Sequence, residues 1–386
     1  MFPQASISGE SLVVTEIGAL LILLGVLAFL AERYRISVVP LFLLAGLSFG
    51  TGGLIPLDLS EEFIDIGATI GALLLLLLLG LEYSARELGA SIKARWSAGI
   101  VDLITNSITG VFVALLLGWG FLGALVLGGI TYISSSGIAA QLIRETGWRK
   151  SVVAKRTISL LVVEDLALAP YLPLITALLA GVSFITGLIT ISLAFVVIGL
   201  VLLISVRQVG LLSNYLRRSD SLSLLLTVLG AALLAAGLAE SVGLSGAVAA
   251  FLVGLLLSGD LAQAARVRLA PLRDLFAAFF FLFFGLTINP TDLISMLPIA
   301  LVLTIFGVIG KMFTAWWLAK DLSDPMSWRR VGAFLVPRGE FSIVIAGLAS
   351  TTFFGTDIKA LTGSYVILTA IVGSLLIRYY RSALEK

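Results

Sequence analysis

Apolar residues come along this chain in long, nearly unbroken runs separated by short polar joints, with neither the alternation of a half-buried strand nor the one-sided stripe of a soluble amphipathic helix. A run of about 18 to 25 such residues, coiled as an α-helix, matches the thickness of a bilayer. A helix also satisfies its own backbone amides and carbonyls, as hydrocarbon requires. The pattern predicts thirteen transmembrane segments, near 11–31, 36–53, 62–82, 95–118, 119–143, 153–179, 182–206, 221–240, 242–258, 271–288, 296–319, 329–353 and 358–379. No hydrophilic stretch is long enough to fold by itself, so the expectation is an all-α integral membrane protein with a single membrane domain over 1–386.

Composition strengthens this reading: 59% of residues are hydrophobic, 12% are charged, and mean hydropathy is +1.11. Net charge is only +2, but its placement is informative. Of the 25 Lys and Arg residues, all but Lys311, Arg338 and Lys359 fall in alternate loops or at the C-terminus. The positive-inside rule makes those loops cytoplasmic. An odd number of spans then puts the N-terminus outside and the C-terminus inside, in the plasma membrane of a prokaryote or in an organelle membrane. The first residues lack the basic start of a signal peptide, so the first run reads as a mature helix rather than a cleaved leader. There is no Cys and no His. Thiol chemistry, an imidazole switch and histidine metal ligation are thereby excluded, and proton chemistry near neutral pH falls on carboxylates or lysines.

Thirteen segments divide as six, one and six. The first repeat covers about 11–179, a linker helix 182–206, and a second repeat about 221–380. An odd connector inverts the second unit relative to the first, a layout of many secondary transporters. The punctuation corresponds. Segment 5 carries Gly128-Gly129 and Ser134-Ser135-Ser136-Gly137 at mid-depth, and its counterpart, segment 12, carries Pro337-Arg338-Gly339-Glu340. Both are candidates for breaking inside the membrane, where freed carbonyls and the hydroxyls of Ser134, Ser135 and Ser136 can coordinate a cation. Arg338 and Glu340 would compensate the half-helix dipoles. The alternative readings are small-residue packing for the serines and a simple kink at Pro337 and Gly339.

Glu164 and Asp165 stand side by side within the otherwise apolar stretch 157–179, and Lys311 lies within segment 11. A charge at mid-membrane costs several kcal/mol, about 2.5 or more, so such residues mark ion or proton pathways unless they form a buried structural network. Asp102 and Asn106, four apart in segment 4, either line the site or bond to each other. Glu82 and Arg86 read as interfacial. The phenylalanine-rich segment 10 reads most simply as a lipid or dimer contact.

Six stretches in order, GLEYSARELG (80–89), ISSSGIAAQLI (133–143), VVEDLALAP (162–170), FFFLFFGLTIN (279–289), Lys311 in its apolar helix and VPRGEFSIVIA (336–346), resemble the monovalent cation:proton antiporter-2 superfamily, which includes Kef-type potassium efflux systems and Nap-type sodium/proton antiporters. The resemblance covers essentially the full chain. It implies two broken, crossing helices around the site, with segments 4, 5, 6, 11, 12 and 13 as a moving core and segments 1–3 and 8–10 as a dimerising scaffold. Asp165 matches the carrier that binds Na+ or K+ in exchange for H+, Glu164 the neighbour that modulates it, and Lys311 that neighbour's charge partner. This chain has Glu-Asp where the better-known patterns are Asp-Asp or Gln-Asp. No nucleotide-binding regulatory domain of the Kef type is expected within residues 1–386, so gating through one is not expected.

The function expected is secondary active exchange of Na+ or K+ for H+, without ATP and without a cofactor, in a homodimer in the lipid bilayer; nucleic acid is not an expected partner. Competition of proton and cation for one carboxylate would make exchange obligatory. A sodium-coupled organic solute symporter of related fold is the alternative. A channel lacks its repeated carbonyl motif here, and an enzyme its catalytic cluster.

Overall fold

The computed structural model describes residues 9–34, 38–50, 52–53, 61–82, 85–148, 150–179, 181, 221–241, 246–257 and 259–382. The described residues form helices and no strand: α1 (Gly9–Tyr34), α2 (Val38–Phe49), α3 (Glu61–Glu82), α4 (Ala85–Leu116), α5 (Gly120–Tyr132), α6 (Ser136–Thr146), α7 (Val152–Leu179), α8 (Ser221–Ser241), α9 (Gly246–Leu256), α10 (Gly259–Leu286), α11 (Pro290–Ala319), α12 (Ser327–Leu335), α13 (Glu340–Leu348) and α14 (Gly355–Ser382). Among them eight spans are long and apolar enough to cross a membrane, two of them being the α5–α6 and α12–α13 pairs. The linker segment expected over 182–206 lies outside the described residues.

Helix contacts sort the molecule into two groups. In one, α10 packs against α2 and α3, while α9 packs on α3 and α8. In the other, α4 packs on α5, α7 and α11, and α11 also meets α12 and α14. Close approach in the first group depends on glycine: a methyl on Gly46 of α2 would stand 2.7 Å from the Gly285 Cα of α10. Small residues of this kind let helices pack where lipid offers no hydrophobic drive.

Two expectations need correction here. The aromatic run of segment 10 does not face lipid: Phe280, Phe281, Phe283 and Phe284 are all buried, and Phe279 stacks on Phe283 at 5.4 Å between ring centroids. Burial beneath α2 and α3 takes precedence over the surface role that composition suggests, because aromatic side chains bring the largest contact area to a helix interface. Segment 10 also begins earlier than hydropathy indicates. Its helix starts at Gly259, and the polar extension through Arg266 and Arg268 is anchored by buried Leu261, Ala265 and Leu269.

Candidate ion site at the crossing of two broken helices

α5 ends at Tyr132 and α6 starts at Ser136, leaving residues 133–135 unwound; Ile133 is extended at φ −75° and ψ 128°. α12 ends at Leu335 and α13 starts at Glu340. Pro337 contributes no amide donor, so the chain at this point cannot close a helical turn. The two gaps meet. Ser135 N donates to Pro337 O at 2.8 Å, Ser134 Oγ to Leu335 O at 2.8 Å, and Ser342 Oγ to Ile130 O at 3.0 Å. Glycine is required at position 339, where a Cβ would come within 2.5 Å of Ser135 Oγ and 2.7 Å of its Cβ.

Each break exposes a pair of half-helix ends, and charge meets them by sign. Arg338 donates from Nε and Nη2 to Thr131 O (3.2 and 2.9 Å) at the end of α5, and from Nη1 to Leu335 O and Val336 O (3.0 and 2.9 Å) at the end of α12. A cation thus lies at both C-terminal ends, where the helix dipoles are negative. Glu340 accepts from Ser135 Oγ at 2.8 Å and from Gly137 N at 3.3 Å, placing a carboxylate at the N-terminal ends of α6 and α13. Both side chains are buried.

Against the crossing lies α7. Glu164 accepts from Ser134 N at 2.6 Å and Ser134 Oγ at 3.2 Å, fastening the unwound segment to the acidic helix. Glu164 is 0% exposed and Asp165 2%. Lys311 of α11 donates to Glu164 Oε1 at 3.2 Å, the pairing expected of it. Its tighter contacts were not anticipated. Nζ lies 2.9 Å from both oxygens of Asp102 and 2.8 Å from Tyr132 O at the C-terminus of α5. Asn106 Nδ2 donates to Asp102 Oδ1 at 3.0 Å, so both sequence readings of that pair hold together: an internal bond, and a face toward the charged cluster. The signal was present in the sequence, since a carboxylate inside segment 4 calls for a buried cation and Lys311 lies deep in a span, away from the basic loops.

Ser136 differs from its two neighbours. It lines a cavity of about 300 Å³ with Gly137, Gln141 and Glu340 on one side and Arg273 and Phe281 of α10 on the other. Helices of both groups line that cavity. The side chains of Glu82 and Arg86 lie outside the described residues.

The family model for the transmembrane sodium/hydrogen exchangers matches residues 19–380. The chain is 31% identical over 377 residues to the K(+)/H(+) antiporter subunit KhtU of Bacillus subtilis, covering 94% of this chain and 92% of that protein. It is 29% identical over 381 residues to the ammonium/H(+) antiporter subunit AmhT of Alkalihalophilus pseudofirmus, covering 96% and 93%. The sodium proton antiporter MjNhaP1 of Methanocaldococcus jannaschii has the same fold, with a TM-score of 0.73 at 21% identity over 96% of this chain and 98% of that one. Matched over nearly all its length, the chain belongs to the sodium/hydrogen exchanger transmembrane family.

Proposed function

We propose that this protein exchanges a monovalent cation, Na+ or K+, for H+ by alternating access around Glu164 and Asp165. The observation that carries the reading is a buried ionisable cluster at the helix crossing. Asp102 and Glu164 share the buried ammonium of Lys311, and Asp165, also buried, follows Glu164 directly on α7. Charged groups gathered at that depth are costly unless they serve an ion or proton pathway. Asp165 is assigned as the carrier and the metal-ion ligand on the resemblance of its motif to the antiporter superfamily, with Glu164, held by Ser134 and Lys311, as its modulating neighbour. Ser134 and Ser135, at the unwound crossing, supply hydroxyl and carbonyl oxygens, and Ser136 receives the ion from the cavity beside Glu340.

The same reading takes the helices as thirteen spans in two inverted repeats. The matching order of α5/α6 followed by α7, and α12/α13 followed by α14, supports it. The group containing α4–α7 and α11–α14 serves as the moving core, and the group containing α1–α3 and α8–α10 as the scaffold and homodimer contact. The basic loops are cytoplasmic, with the N-terminus outside. The likeness to the antiporter subunits KhtU and AmhT favours antiport over solute symport.

The reading is tested in proteoliposomes carrying an internal pH dye. Addition of Na+ or K+, but not choline, is expected to move protons against the cation; the absence of cation-dependent proton movement at any pH contradicts it.

A further inference from the structure

Lys311 is held by more than its expected partner. An ammonium has three protons to donate. Here Asp102 receives them across both carboxylate oxygens at 2.9 Å, Tyr132 O at 2.8 Å, and Glu164 Oε1 last and longest at 3.2 Å. Asp102 is itself braced: Asn106 Nδ2 bonds its Oδ1, and the same amide reaches Thr105 Oγ1 at 3.1 Å and Thr314 Oγ1 on α11 at 3.4 Å. The approach of α11 to α4 at this level depends on Gly310, whose Cβ, if present, would lie 2.7 Å from Asn106 Oδ1. A dedicated arrangement on α4 therefore fixes the position of the lysine on α11.

A lysine ammonium is a compact monovalent cation on a flexible stem. Beside a carboxylate pair, it is a tethered competitor for the place of the transported ion. We propose that Asp102 is a positioning residue that draws Lys311 back toward α4, so that the ammonium touches Glu164 without occupying the cation's place at Asp165. This rests on the antiport reading given above. It assigns to Asp102 a part in setting cation affinity, through Lys311 and without contact with the ion.

The test uses the full-length chain in proteoliposomes, with Na+ and K+ titrated separately against proton movement. Asp102→Asn keeps the size of the side chain and its bond to Asn106 but loses the charge that holds Lys311. It is expected to raise the half-saturating cation concentration roughly tenfold, with the effect on half-saturation exceeding that on maximal rate. Asp102→Glu, which retains the charge, is expected to rescue much of that loss. Adding Lys311→Gln to Asp102→Asn is expected to bring half-saturation back toward wild type, because the competitor has gone. A purely structural Asp102 would instead lower the maximal rate and the amount of folded protein at unchanged half-saturation.

A second comparison does not depend on the folding of Asp102→Asn alone: in a Lys311→Gln background, Asp102→Asn is expected to leave half-saturation unaltered. A further rise there overturns the proposal, as does an Asp102→Asn titration that superimposes on wild type. Failure of the antiport reading is separately visible, since the wild type itself would then show no cation-driven proton movement and both readings would fall together.

Discussion

Arg338 and Glu340, two residues apart, serve opposite ends of the two broken helices: the guanidinium binds carbonyls of Thr131, Leu335 and Val336, and the carboxylate accepts from Ser135 and Gly137. One short segment of the second broken helix thereby compensates four half-helix termini. The cost of breaking two helices inside a membrane is offset locally, by charge of the appropriate sign at each dipole end.

Arg338 has a geometry that lysine cannot reproduce. Its guanidinium reaches carbonyls on α5 and α12 together, whereas an ammonium is a single point donor. Arg338→Lys is expected to destabilise the protein in detergent markedly. Arg338→Met is expected to cost about 3–5 kcal/mol, as for a buried charge network losing one member. Thermal unfolding compared with wild type measures both, and an unshifted midpoint for Arg338→Met would contradict the capping role.

Gly339→Ala introduces a methyl into the crossing, where Ser135 leaves no space. Overpacking of this kind costs about 1–3 kcal/mol, and here it also pries the two unwound segments apart. The expected result is a lower melting temperature and a larger loss of exchange than the stability change alone explains. Full transport at wild-type rate would show that the crossing tolerates separation.

The serines are expected to differ in effect. Ser134→Ala removes the hydroxyl contacts to Glu164 and to Leu335 O, although its backbone bond to Glu164 persists. Ser136→Ala removes only a hydroxyl on the cavity wall. Half-saturation for the cation is therefore expected to rise several-fold for Ser134→Ala and less for Ser136→Ala. Equal, unchanged values at Ser134, Ser135 and Ser136 would remove the serines from the site.

On the loop before α12, Asp324 accepts from Met326 N at 2.9 Å and from Arg330 Nη1 at 2.7 Å. The Met326 amide first, and the Arg330 guanidinium after it, hold its carboxyl below the usual aspartate range. A lowered value means that the contribution to stability is present above the ordinary aspartate pKa of about 3.9 and disappears as the pH falls through the lowered one. The side chain is 46% exposed, so solvent screening keeps the effect at or below about 1 kcal/mol. Melting temperatures of wild type and Asp324→Asn are expected to differ slightly at neutral pH and to converge in acid. A gap that widens on acidification would reverse the sign and refute the assignment.

The parts of this architecture readable from sequence were those written in local chemistry. Pro337 and Gly339, and the serines at 134–136, announce breaks because each weakens the helix or offers polar atoms in place of its bonds, and the structure places both breaks there. Glu164, Asp165 and Lys311 stand out because charges in hydrocarbon are costly, but the pairing of Lys311 with Glu164 is implied by the resemblance to the antiporter superfamily and not by local chemistry. What escaped was long-range. That Asp102 holds Lys311 more closely than Glu164 does depends on how α4 lies against α11, a distance of 209 residues along the chain. The burial of the phenylalanine run depends likewise on α2 and α3 covering α10. An apolar residue facing lipid and one facing another helix look alike in composition, so hydropathy cannot separate them.

The central claim is that Asp165 carries the exchanged ion and proton. Its most direct test is the proton flux driven by a Na+ or K+ gradient in proteoliposomes containing Asp165→Asn at the same protein density as wild type. The amide keeps the size and polarity of the side chain but does not take up a proton as a carboxylate does. The account predicts folded protein with wild-type thermal stability or better and no cation-coupled proton movement at any pH. Cation-dependent proton movement at more than a small fraction of the wild-type rate would contradict it and transfer the carrier role elsewhere in the cluster.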